Sequence, residues 1–532
     1  MVYKNWFFSK IFEQLKIFYL NSSFYDKKIS KINDNNFFYK PSPHLLSSII
    51  KYQNKKIKID NFLFEDIWLK KNISRKEFEN LNSFYWFFSL DLKSSKKIIR
   101  SIISNWITLN EKYNSKSWNF DLTAKRIIAW LSSYNLTFEG GDENYQKKFD
   151  IMIQKQTNHL INELKKPLSF DDKLIGCAAI ILVGLCYKIE KNYLSNGLDI
   201  LKKISKNSLD NTGFPKTRNI KQLIFYLKYF ILIREWFKEA QITVPEHIEE
   251  TIYYLGQGYA FIWQNIKSNL LFNGNSNSNN HEFDNYLKML GYKFKNENKD
   301  HGGYVIFRDK KTCLAIDAGS TPNSKFTRDY QSGALSFEII RNQKKLISNC
   351  GYFKKNIKLN KISKSSAAQN TLIIDDQSSC KTDSSLLIRK GLKIIKKNII
   401  FEKNYWKIEL AHDGYLKRYN SIHERIIEYF PEKMAFFGTD KIIKNNKNKN
   451  YKFDIRFHIE PNIKLMKTQD NKSILIELDD EGWKFTCDNF DIDIDNGLYF
   501  GNKNSYIDNH NIFISGISYN QVENINWYIT KI

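Results

Sequence analysis

Asp329-Tyr-Gln-Ser-Gly-Ala-Leu-Ser-Phe-Glu338, Leu346-Ile-Ser-Asn-Cys-Gly351 and Ala367-Ala-Gln-Asn-Thr-Leu-Ile-Ile-Asp375 decide the fold of this 532-residue chain. Each segment carries a short apolar run beside small or turn-forming residues. The three read as consecutive β-strands.

Working outward, the period changes on either side of residue 300. Beyond Gly302 short runs alternate, as in Val305-Ile-Phe-Arg, Trp406-Lys-Ile-Glu-Leu, Phe453-Asp-Ile-Arg-Phe-His and Ser473-Ile-Leu-Ile-Glu-Leu. Turn signals such as Asp479-Asp-Glu-Gly and Asp495-Asn-Gly separate them, which predicts a large antiparallel sandwich. From about Phe62 to Lys267 the period is helical. One stripe is Ile98, Ile99, Ile102, Ile103, Trp106 and Ile107; another, opened by Asp121 as N-cap, includes Leu122, Ile127, Trp130 and Leu131. Helices of 15–20 residues with short connections predict an α/α array or incomplete toroid. Asn273-Gly-Asn-Ser-Asn-Ser-Asn-Asn280 reads as a loop and His281–Leu290 as a short helix. The expected organisation is a helical extension over 1–60, an α/α toroid over 61–280 and a β-sandwich over 281–532.

Bulk composition narrows the function classes. A hydrophobic fraction of 42% excludes a disordered chain. The net charge of +25 points to an anionic partner, or to a global lysine-rich bias. No dense basic block or aromatic-basic motif accompanies the charge, so nucleic acid is not expected. Six scattered cysteines without a CxxC pair argue against a disulfide framework or a cysteine zinc site. Trp6, Phe7, Ile11, Phe12, Leu15 and Phe18 recur at helical spacing between lysines. That stripe can lie on a membrane surface or pack as an ordinary first helix. The N-terminus has no apolar h-region, so a standard signal peptide is not expected.

The three opening segments resemble the start of the C-terminal β-domain of heparinase II/III-like proteins, of the alphaproteobacterial type. That family's pattern is HAHAD-x-LSFEL, then Leu-Ile/Val-Asp-x-Gly, then AHNTL-x-VDG. Trp118-Asn-Phe-Asp-Leu-Thr-Ala-Lys-Arg-Ile-Ile-Ala-Trp130, Gly213-Phe-Pro-Lys-Thr-Arg-Asn219, Phe272-Asn-Gly274 and Ala411-His-Asp-Gly-Tyr415 with His423 and Arg425 resemble further family segments in the same order. The resemblance implies a toroid followed by a sandwich and a polysaccharide lyase activity on an anionic, uronic-acid-containing glycan. By resemblance it also implies the cell envelope or periplasm, whereas the N-terminus alone implies a cytoplasmic or membrane-peripheral protein.

β-Elimination needs a group that neutralises the uronate carboxylate, a base for the C5 proton and an acid for the leaving oxygen. The resemblance implies Asn, Tyr and His from the helical domain, His from the β-domain, and in some members a zinc held by His, Asp and His. Those three ligand positions hold Gln331, Asn349 and Gln369, and the β-domain catalytic His falls on Asp329. Neutral amides are poor zinc ligands, so no metal or other cofactor is expected. Gln331, Gln369, Asn370 and Asn273 remain candidates for hydrogen bonds to sugar. Arg218 and Asn219 can clamp a carboxylate or start the helix that follows. Tyr330 can act as base and acid if a neighbouring arginine lowers its pKa, or serve as a strand-edge aromatic. His281 is a catalytic candidate or a helix start. His412, Tyr415 and His423 can meet on adjacent strands for sugar binding or structural hydrogen bonding, and His458 reads as a satisfied sheet residue. A non-catalytic glycan-binding or envelope-assembly protein on the same scaffold is the competing reading.

Overall fold

Side-chain caps start the helices close to where the sequence predicts them. Ser74, Asn119, Asp142 and Ser169 each accept a first-turn N–H. The computed structural model describes residues 14–30, 37–47, 68, 73–90, 95–166, 168–187, 193–445, 449–502 and 505–532. Asn119, not Asp121, caps Phe120–Ser132, because its Oδ1 takes the Asp121 N–H at 3.2 Å. Asp121 turns instead to Lys125 one helical turn on, at 2.5 Å.

One compact unit comprises Met1–Asn207, Phe225–Ile252 and His281–Tyr292. Its helices include Lys96–Leu109, Phe120–Ser132, Glu143–Glu163, Phe170–Cys186 and Tyr193–Ser208. Of the predicted stripe, Ile99, Ile102, Ile103, Trp106 and Ile107 are buried and Ile98 is half-buried. Arg126 lies wholly inside, over the Trp106 ring at 4.0 Å, and donates to Gln156 Oε1 and to the carbonyls of Asn82 and Ser117. Of the N-terminal stripe, Trp6, Phe7, Ile11 and Phe12 lie outside the described residues, whereas Leu15 and Phe18 are exposed on the helix over 14–20. Among the described residues no helix is long and apolar enough to cross a membrane.

The second unit comprises Ser208–Ile224, Tyr253–Asn280 and Lys293–Ile532. Strands do begin near residue 300, but two stretches from the predicted helical region belong to this unit, so it does not start at residue 281. Its five-stranded antiparallel sheet runs Asp300–His301, Tyr304–Arg308, Thr312–Asp317, Phe337–Arg341 and Lys344–Ile347. An eight-stranded sheet orders Lys464–Lys467, Ser473–Leu478, Glu481–Cys487, Val522–Lys531, Ala435–Lys444, Ser421–Phe430, Trp406–His412 and Ile394–Phe401. A third orders Ile492–Tyr499, Ile507–Ser518, Tyr451–His458 and Leu372–Ile374. Their inner faces share one apolar core, in which Phe337 stacks on Trp527 at 5.3 Å.

Two sequence expectations need correction. The strand predicted from Asp329 begins only at Phe337; Asp329 is half-buried, and 330–336 is a buried loop with Leu335 at φ +62°. Its carbonyls are met from outside a ladder: Ser366 Oγ donates to Ser332 O, Thr371 Oγ1 to Ala334 O and Arg425 to Leu335 O. Asp495-Asn-Gly is not a turn but lies within Ile492–Tyr499, paired to Asn509–Asn511.

Candidate functional site

Gly274 brings two segments distant in sequence together, both within the second unit. It sits at φ +85°, and a Cβ there would lie 2.5 Å from Asn219 Nδ2 and 2.9 Å from Asp329 Cβ. The amide and the aspartate are therefore neighbours, and only glycine leaves them room. Asn219 Oδ1 accepts the N–H groups of Lys221 (2.9 Å) and Gln222 (3.3 Å), capping Ile220–Glu239. Its Nδ2 has no hydrogen-bond partner among the described residues. Cap and free amide donor thus coexist in one side chain. Asp329 Oδ1 accepts Tyr352 Oη–H at 2.9 Å and lies 3.6 Å from Lys354 Nζ. Burial, and then the Asp329 charge, push the Tyr352 phenol well up from its ordinary pKa.

Arg218, adjacent to Asn219, is spent on the protein. At φ +60° and 8% exposed, it donates to Asp317 Oδ1 (2.6 Å), Gly303 O (2.7 Å) and Gly319 O (3.0 Å). Asn273 completes this network, donating to Asp317 Oδ2 and to Tyr304 Oη, both at 2.9 Å. Arg218 and Asn273 therefore position the loop that presents Gly274 and Asn219, and present no free donor fork to a ligand.

The amides at the family's metal positions are also turned inward. Gln331 Nε2 donates to Gly351 O (2.9 Å) and Ser363 O (2.6 Å), while its Oε1 accepts Gly274 N–H at 3.0 Å. Gln369 Nε2 donates to the same Ser363 O at 3.2 Å. Asn349 Oδ1 accepts Asn370 N–H at 2.9 Å, and Asn370 links Phe337 O to the His458 N–H. These amides staple backbone groups together, and they do not fit the zinc set that the resemblance implies for some members. Among the described residues no three His, Cys, Asp or Glu side chains converge as a metal site.

Tyr330 is 1% exposed and packs with Ala334, Cys380, Ile388 and Leu392. Burial raises its pKa well above the ordinary tyrosine value, the reverse of what an activated base requires. His281 stands exposed at the first position of His281–Met289, in the other unit.

His412 and His423 do meet across Trp406–His412 and Ser421–Phe430, deep in the sandwich. Gly414 N–H donates to His412 Nδ1 (3.0 Å), which leaves the proton on Nε2 for His423 Nδ1 (3.3 Å); His423 Nε2–H then donates to Asp440 Oδ1 (2.6 Å). Asp440 also receives Arg425 Nε and Nη2 and Trp527 Nε1 at 2.8–2.9 Å. Burial lowers the pKa of both imidazoles, and the Arg425 charge, with His423, outweighs burial to hold Asp440 well below the carboxylate range. Tyr415 Oη donates to Leu372 O at 2.8 Å. All three are buried, and each polar tip is engaged inside the protein.

Tyr352 is the residue that the sequence reading missed. It follows Gly351 directly, one position beyond the second opening segment, and only the Asp329 contact distinguishes it among 30 tyrosines.

Residues 295–528 match the family described as heparinase II/III-like, C-terminal. The chain is similar in fold to heparan sulfate lyase HepC (a mutant) from Pedobacter heparinus, with a TM-score of 0.65, 13% identity, and 87% of this chain covering 77% of that one. It is similarly close to a heparinase III structure, with a TM-score of 0.69, 15% identity, and 87% covering 78%. No curated protein matches it in sequence. The fold class is an α/α toroid followed by an antiparallel β-sandwich.

Proposed function

The chain is a heparinase II/III-like protein, and from that premise we propose that it cleaves a uronic-acid-containing anionic polysaccharide by β-elimination at Asn219, Asp329 and Tyr352. The observation that carries this reading is the unpartnered Asn219 amide beside an aspartate that already holds a tyrosine hydroxyl.

Asn219 Nδ2 and Lys354 Nζ face the uronate carboxylate and stabilise the charge that develops as C5 loses its proton. With its pKa raised, Tyr352 is not a free phenolate. Its oxygen takes the C5 proton while its own proton passes to Asp329. The C4–O bond breaks with its electron pair on the leaving oxygen, and the C4=C5 double bond forms. Tyr352 then protonates the leaving oxygen and recovers its proton from Asp329, so the enzyme returns unchanged.

A second reading, a glycan-binding protein without turnover, is favoured by the inward-turned amides of Gln331, Asn349 and Gln369. Incubation with a panel of uronic-acid polysaccharides, followed by ultraviolet absorbance of the unsaturated product, separates the two. Product formed by the wild type and lost in Asn219→Ala supports elimination. Binding without product across the panel supports the second reading.

A further inference from the structure

The sandwich unit carries a second polar feature, away from the histidine chain and the amide staples. A cavity of about 570 Å³ is lined by Lys381, Arg389, Lys390, Lys393, Lys417 and Arg418 with a single acid, Asp413. Six of its seventeen lining residues are basic, against 82 in 532 for the whole chain, so the cluster exceeds the general lysine excess. A neighbouring cavity of about 480 Å³ shares Lys381 and Arg418 and adds Lys361 and Lys364.

The pairing of these charges separates them from ordinary surface lysines. Nearby on the eight-stranded sheet and its edge, Lys396 meets Glu409 and Glu424, Lys397 meets Asp300, and Lys441 meets Glu424. Lys381, Lys390, Lys393 and Lys417 are exposed and have no acidic partner among the described residues. Asp413 makes no ion pair with them among the described residues; its Oδ1 accepts the Lys393 backbone N–H at 2.6 Å, and one acid against six cations leaves the cations in excess. Arg389 gives only Nε to Asp383, which leaves its terminal nitrogens unpaired. Like charges gathered in a concavity repel one another, and an anion relieves that cost.

The platform beneath is built rather than loose. Tyr330, Ala334, Cys380, Ile388 and Leu392 form a small core that pins the Ser379–Leu392 segment down. Thr327 Oγ1 accepts Ile388 N–H at 3.1 Å, and Lys364 Nζ donates to Arg328 O at 3.0 Å and to Leu386 O. Tyr330 thus supports the cavity floor from below.

The geometry points to this paired trough as a binding site for a polyanionic glycan strand, with sulfate or carboxylate groups seated on Lys381, Lys390, Lys393, Lys417 and Arg418. No aromatic side chain lines either cavity, so the stacking platform that single-stranded nucleic acid uses is missing from it. The site stands whether or not the chain catalyses elimination.

The test uses the full chain and a size-defined heparin oligosaccharide, titrated at several salt concentrations. One variant combines Lys381→Gln, Lys390→Gln, Lys393→Gln and Lys417→Gln. A control of equal charge change combines Lys403→Gln, Lys433→Gln, Lys472→Gln and Lys484→Gln, four exposed positions outside both cavities. The trough variant should bind at least tenfold more weakly, with the slope of log affinity against log salt reduced by roughly two to four. The control should bind as the wild type does. Equal loss in both lysine variants, or no loss in the trough variant, overturns the site. Tighter trough-dependent binding of a DNA duplex of matched charge overturns the glycan assignment.

Discussion

Acidification from pH 7 to pH 5 should loosen the sandwich through buried histidines, and His458 allows the size to be worked out. His458 lies on the strand Tyr451–His458 at 3% exposure. Its Nε2–H donates to Ala367 O at 2.9 Å, and Nδ1 faces the Cys350 thiol at 3.2 Å, so one neutral tautomer satisfies both. Burial, with the nearby Arg456 charge, lowers its pKa to about 4 from 6.5. A lowered folded-state value means that the unfolded chain takes up the proton first as the pH falls. Stability is therefore full above about 6.5 and drains away down to about 4. Linkage at 1.36 kcal/mol per unit gives a loss of about 2 kcal/mol by pH 5 from this residue. His412 and His423, also lowered by burial, act in the same direction. Hydrogen-exchange mass spectrometry on peptides spanning Tyr451–His458 and its partner Ile507–Ser518, corrected for intrinsic rates, reads the loss directly. In His458→Gln, whose amide stays neutral, the drop between pH 7 and pH 5 should shrink by about 2 kcal/mol. An unchanged drop in that variant would refute the assignment of the proton uptake to His458.

Further outcomes follow from the same contacts. Asp440→Asn leaves the buried Arg425 guanidinium uncompensated and should destabilise the sandwich by about 3–5 kcal/mol, read as a lower denaturant midpoint of the β-strand peptides. Gly274→Ala drives a methyl into Asn219 Nδ2 and Asp329 Cβ at a positive φ, so it should abolish product formation and destabilise the loop by about 2 kcal/mol, measured by local hydrogen exchange. Gln331→Ala strips donors from Gly351 O and Ser363 O and the acceptor from Gly274 N–H; it should cost about 2–4 kcal/mol in thermal unfolding.

The fold was legible where periodicity and burial agree. The stripe from Ile99 to Ile107, the Ser473–Leu478 strand and the His281–Met289 helix all follow from spacing alone. Asp329–Ser336 was misread because its residues suit a strand, while its carbonyls are met by Ser366, Thr371 and Arg425 from later in the chain. No local pattern encodes such partners. The same limit governs the site. Asn219 was visible as a motif residue, but its split between cap and free amide depends on Gly274, 55 positions away. Tyr330 and Tyr352 look alike in sequence; the packing of Cys380 and Leu392 buries one, and Asp329 engages the other. The basic trough was hidden in a uniformly lysine-rich composition, since only the fold shows which lysines lack acidic neighbours.

The most direct measurement is the rate of unsaturated uronate formation by wild type and Tyr352→Phe on the polysaccharide that the wild type cleaves. Removing one oxygen leaves the ring packing but interrupts proton handover to Asp329. Turnover should fall by about 10²-fold or more, on the order expected for a general acid–base group, while KM changes little. Turnover in Tyr352→Phe within twofold of wild type would contradict it.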